Sequence, residues 1–98
     1  MRFYNYDEGH EYMALIYADN RFEAANIYRN EIDESKPLPL GNLDFTMPDI
    51  DEVYKMIATA EVGAGDEDET PDEYLMNIIK SGKAQVALMD MRLLEGMQ

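Results

Sequence analysis

The sequence holds no cysteine and no tryptophan, a single histidine, and only eight lysines and arginines against 21 aspartates and glutamates. Without cysteine there are no disulfides and no thiolate-bound metals. A fold of this size without covalent staples suggests an intracellular chain. No apolar run approaches the roughly 18–20 residues that span a bilayer, and residues 1–8 lack the apolar core of a secretory leader. The expectation is a soluble, cytoplasmic protein.

Residues suited to catalysis are equally scarce. His10 falls in an expected turn, and Ser35 and Ser81 have no nucleophile-elbow context. Gly63-Ala64-Gly65 runs into four acids, which would repel a nucleotide instead of cradling it. Carboxylates are so abundant that their adjacency in sequence discriminates nothing, and a hydrolytic pair also needs a pocket and a raised pKa. These absences lead us to expect neither catalysis nor a cofactor.

What is present is one domain over residues 1–98, with 46% hydrophobic residues to build a core. Seven tyrosines among ten aromatics suit half-buried positions with one wet end. Residues 3–6 and 11–18 are rich in aromatic and apolar side chains and flank Asp7-Glu8-Gly9-His10, which predicts a β-hairpin. The second run is almost wholly apolar, as a central strand covered on both faces would be. Asn20 and Glu23 fit a capping box opening a helix over about residues 21–33, with Phe22, Ala25, Ile27, Tyr28 and Ile32 on its apolar side.

Two prolines and a glycine in residues 35–41 force an extended connector, and residues 43–46 alternate as a short edge strand would. Pro48 suits the first turn of a second helix, whose buried face would be Ile50, Val53, Tyr54 and Ile57. Thr70-Pro71-Asp72-Glu73 opens a third, with Tyr74, Leu75, Ile78 and Ile79 inward and Gly82 as its C-cap. Residues 84–91 form a last strand candidate that would pair with the hairpin. The fold class is α+β, order β-β-α-(β)-α-α-β: a small, mainly antiparallel sheet with helices packed on one face.

The net charge of −13 disfavours direct binding to nucleic acid or to an anionic membrane. It is also uneven. Residues 44–73 hold eleven acids against Lys55 alone, net −10. Asp49, Asp51, Glu52, Asp72 and Glu73 have a local explanation, because acids at helix N-termini stabilise by about 0.3–1 kcal/mol each. Glu61 and the run Asp66, Glu67, Asp68 and Glu69 have none. Four adjacent carboxylates repel one another, so the run asks for another reason.

Three reasons compete. An EF-hand beginning at Asp66 fails at its sixth position, Pro71, and its twelfth, Asn77, although loose divalent-ion binding is not tied to that motif. The run could simply solubilise a loop. Or all ten acids named above could meet the Lys/Arg groove of a nucleic-acid-binding protein, imitating the charge density of duplex DNA. Tyr54 and Tyr74 flank the acids and could pack against cationic stems or belong to the core. Met89, Met91 and Met97 near the C-terminus could instead form an adaptable apolar contact surface, and the last strand leaves room for a homodimer.

The passage Ala14-Leu15-Ile16-Tyr17-Ala18-Asp19-Asn20-Arg21-Phe22-Glu23-Ala24-Ala25 resembles a strand-to-helix pattern common in short phage and mobile-element proteins. With the size, the lack of cysteine and the acidic helix-loop-helix, the chain looks like the acidic anti-CRISPR and DNA-mimic inhibitors. That resemblance implies an inhibitor occupying the DNA-binding or PAM-reading cleft of a nuclease.

Overall fold

The computed structural model describes residues 1–7, 12–34, 44–60 and 70–89. The elements are β1 (Arg2–Tyr6), β2 (Ala14–Ala18), α1 (Arg21–Glu31), α2 (Ile50–Thr59), α3 (Pro71–Ser81) and β3 (Gln85–Met89). The three strands form one antiparallel sheet in the order β1-β2-β3. The class is α+β, as expected. The hairpin turn at residues 8–10 and the connector at residues 35–41 lie outside the described residues.

All five residues of β2 are buried. Side chains alternate across a strand, so an apolar strand with no polar side needs a layer on each face. Leu15 and Tyr17 join Phe3, Val53, Ile57, Leu75 and Ile78 under α2 and α3. Ala14, Ile16 and Ala18 join Tyr4, Tyr6, Ala24, Tyr28 and Ile32 under α1. Helices on one face only was therefore the wrong expectation: α1 covers one face, α2 and α3 the other. The helix count was right and the layering was not.

The α1 side pairs small residues with tyrosines. Alanines at 14, 18, 24 and 25 let the helix approach the sheet, and Tyr6 and Tyr28 stack with centroids 4.7 Å apart. The Tyr28 hydroxyl donates to the Tyr12 carbonyl, giving a core ring a polar outlet. Burial, with Tyr4 and Tyr28 alongside, pushes the Tyr6 phenol above its ordinary pKa.

β3 carries a bulge. Ala14 faces Met89 and Leu15 faces Leu88, but Ile16 faces Val86, so Ala87 has no opposite number. The extra residue changes the alternation: Ala87 and Leu88 both enter the α2/α3 core, while Val86 and Met89 both pack toward α1. Tyr74 of α3 donates its hydroxyl to the Ala87 carbonyl at 2.6 Å, fastening the helix to the bulge.

The helix ends follow their sequence signals with adjustments. Asn20 Oδ1 accepts from the Phe22 and Glu23 amides, and Glu23 reaches back to the Asp19 amide, one residue before the expected reciprocal bond. Thr70 caps α3 and Gly82 closes it at φ 62°, where a Cβ is disfavoured. Asp49, not Pro48, begins α2: its carboxylate accepts from the Glu52 amide, and Pro48 lies before the cap. Residues 44–46 form no strand. Thr46 makes one bridge to Asn5, with bonds of 2.8 and 2.9 Å.

The expected buried faces are narrower in the structure. Val53 and Ile57 are fully buried, but Ile50 is 49% exposed and Tyr54 37%. On α1, Phe22 points to solvent under the Arg21 guanidinium, and Ala24 takes an inward place instead.

Ile57→Ala should therefore lower the unfolding free energy by about 2–5 kcal/mol, and Ile50→Ala by no more than about 0.5 kcal/mol, in urea titrations. Equal losses would refute this placement of α2. A phenol whose pKa is raised on folding adds stability below the unfolded value and loses it above. Tyr6 should thus destabilise the fold as pH rises past about 10. Tyr6→Phe should flatten that alkaline slope.

Candidate functional site

α2 and α3 run antiparallel. Ile50, at the start of α2, and Ile79, near the end of α3, line the same cavity, together with Met1, Phe3, Tyr17 and Met47. Two helix N-termini on an antiparallel pair cannot lie side by side. Asp49, Asp51 and Glu52 occupy one end of the pair, and Asp72 and Glu73 the other. Ten residues of helix at 1.5 Å each set the two groups about 15 Å apart.

All five of these carboxylate residues are exposed. Asp49 is engaged by its own cap, whereas Asp51, Glu52, Asp72 and Glu73 pair with no described residue. Glu61 and the run Asp66, Glu67, Asp68 and Glu69 lie outside the described residues. The chain leaves α2 at Ala60 and re-enters at Thr70, at the Asp72/Glu73 end. Among the described residues, no three acidic or histidine side chains are grouped to hold a metal ion.

The two flanking tyrosines separate. Tyr74 is half-buried and tied to the bulge, so it is a core residue. Tyr54 is exposed on the outer side of α2, where its ring is available to a partner.

The ends of the molecule also differ in their bases. Arg2 lines the cavity at the α2 N-terminus, and Lys80 and Lys83 stand at the α3 C-terminus, so three cations share that end with Asp49, Asp51 and Glu52. The opposite end carries Asp72 and Glu73 on α3, and Asp7 and Lys55 line one groove there. The last turn of α2 contains no base to answer the negative end of its dipole.

A second groove opens at that more acidic end. It has a volume of about 480 Å³ and lies between the C-terminal half of α2 and the sheet. Met13, Met56 and Leu88 supply its apolar surface, with Met89, which packs toward α1, only at its margin; Asn5, Asp7, Lys55 and Thr59 supply its polar edge. The Asn5 Oδ1 atom is buried there and bonds to no described group. Met89 was recognisable in the sequence as a contact candidate, while Met91 and Met97 lie outside the described residues. Met13 and Met56 gave no such signal, because only the fold brings β2, α2 and β3 together.

No helix among the described residues is long and apolar enough to cross a membrane. No curated protein and no solved structure matches the chain. Residues 1–88 match the YosH C-terminal domain family, a span that runs from the first strand into the bulged third. The chain therefore belongs to the YosH C-terminal domain family.

Proposed function

We propose that this domain works by binding, without catalysis, and that its partner is a basic, nucleic-acid-binding protein surface such as the cleft of a nuclease. One observation carries the reading. Exposed, unpaired carboxylates sit at both ends of the α2/α3 pair, in a thirty-residue stretch of net charge −10. Carboxylates left without intramolecular partners keep their full attraction for an external cation, which steers encounter and fixes orientation. The resemblance to acidic DNA-mimic and anti-CRISPR inhibitors points the same way. Displacement of nucleic acid from its protein would be the outcome.

The antiparallel geometry refines how such a surface would work. Asp49, Asp51 and Glu52 are separated by a helix length from Asp72 and Glu73, so a partner engaging both groups needs cations at a matching spacing. Exposed Tyr54 lies on the helix joining them and can stack on an arginine.

A second reading has its own support. The methionine-lined groove suits apolar contact, and on that reading the acids serve only solubility.

Capture from cell extract on the immobilised domain separates the two. Basic nucleic-acid-binding proteins should be retained at low salt and released as ionic strength rises, since counterion-linked contacts weaken steeply with salt. Replacing Asp66, Glu67, Asp68 and Glu69 with Asn or Gln should weaken retention and flatten its salt dependence. Retention that ignores both salt and substitution would refute the electrostatic reading.

A further inference from the structure

We propose that the outer edge of β1 at Phe3 takes up an extended peptide as a further antiparallel strand, which seats one uncharged apolar side chain in the cavity beside that edge. Recognition of this kind is independent of the electrostatic reading above, because it uses backbone pairing and apolar contact, and either can fail alone.

The register leaves this edge open. Thr46 and Asn5 exchange both backbone bonds, at 2.8 and 2.9 Å, on the side of β1 away from β2. Outward-facing backbone groups recur at every second residue of a strand, so the N–H and C=O of Phe3 face the same way. An antiparallel ladder continued from Thr46 would bring Pro48 opposite Phe3, and proline has no N–H to donate. The pairing stops after one bridge, and Asp49 caps α2 directly afterwards. No described group bonds the Phe3 backbone on that side.

Where the two segments part, a cavity of about 420 Å³ opens, within the roughly 300–1,000 Å³ of sites that enclose ligand groups. Phe3 lines it on the strand side, Met47 and Pro48 on the side of the departing chain, and Ile50 and Ile79 from the helix pair. The Phe3 ring is held in the core against Tyr17, with centroids 4.7 Å apart, so the part of Phe3 left for a guest is its backbone. Residues directly opposite each other in an antiparallel pair project to the same face. The guest residue opposite Phe3 would therefore send its side chain to the α2/α3 side, where the cavity lies.

These groups define the guest. A free strand edge is matched by another strand, whose main-chain bonds supply affinity while a pocket for a side chain supplies specificity. Met1, Met47 and Ile50, three of the six exposed large hydrophobics among the described residues, stand on this cavity, so its rim is apolar as well as its interior. Charge sets no sign, because Arg2, Lys80 and Lys83 share this end with Asp49, Asp51 and Glu52. An uncharged apolar side chain is the one that fits. Thr46 already occupies the edge at Asn5, so an antiparallel guest begins at or just before the residue opposite Phe3. The sheet's other edge is blunted by the bulge in β3, whose Ala87 carbonyl already accepts from Tyr74.

The test follows the Phe3 backbone amide of the full chain by hydrogen exchange and NMR. In the free protein this amide should exchange faster than those of Tyr4 and Asn5, which pair with Ile16 and Thr46. Three short capped peptides are then added: leucine followed by threonines, the same peptide N-methylated at its leucine amide, and the same peptide with aspartate in place of leucine. The leucine peptide should slow Phe3 exchange, shift the methyl signals of Ile50 and Ile79, and bind at least about tenfold more tightly than either control. Its binding should change little between low and high salt. Ile50→Ser, at a half-exposed position, should weaken it while the circular dichroism spectrum stays unchanged.

A Phe3 amide already protected in the free protein would overturn the inference, as would absence of binding by the leucine peptide. Equal binding of the N-methylated peptide would overturn the added strand, and equal binding of the aspartate peptide would overturn the apolar seat. Protection of Phe3 that grows with the concentration of the chain alone would assign the edge to a second copy and overturn the peptide as its occupant.

Discussion

Five consecutive residues of the central strand, Ala14–Ala18, are buried with no charged or amide side chain among them. The rest of the molecule is arranged around covering both sides of that strand. One helix is enough for the side presented by Ala14, Ile16 and Ala18, because alanines on the strand and on α1 allow close approach and tyrosines fill the remaining space. The side presented by Leu15 and Tyr17 is broader and takes two helices. A strand of five residues cannot bury itself on one layer, so α1 and the α2/α3 pair lie on opposite faces of the sheet.

The bulge at Ala87 follows from the same demand. Regular alternation along β3 would divide its side chains evenly between the faces. Inserting one residue turns both Ala87 and Leu88 toward the helix pair, and the carbonyl at the irregularity gains a partner in Tyr74. The hydroxyl thus sets the height of α3 on the sheet.

Electrostatics is layered onto this frame instead of shaping it. No charged side chain is buried among the described residues, so the acids contribute to the surface and to helix ends without entering the core. Antiparallel packing then sorts them. Among the described residues, one end gathers bases beside its acids; the other gathers acids, a helix C-terminus with no base in its last turn and an apolar groove. A domain of one overall charge thereby acquires two chemically distinct ends.

The strands, the three helices and most of their caps were legible in the residues, because capping, proline placement and side-chain alternation act over three or four positions. Asn20, Thr70 and Gly82 each do locally what their neighbours in sequence require. The acidity of residues 44–73 was equally plain, being a property of composition. What could not be read there depended on residues far apart meeting. The placement of α1 opposite α2 and α3, the exposure of Tyr54 and Ile50, and the bulge that admits Tyr74 are settled by how much apolar surface each element must cover. The groove unites Met13, Met56 and Leu88, which lie far apart in the sequence. In this chain local chemistry determined what each segment would become and where the negative charge would fall along it; packing on a doubly buried strand decided which side chains share a surface, because burial is satisfied by the whole fold and not by any one segment.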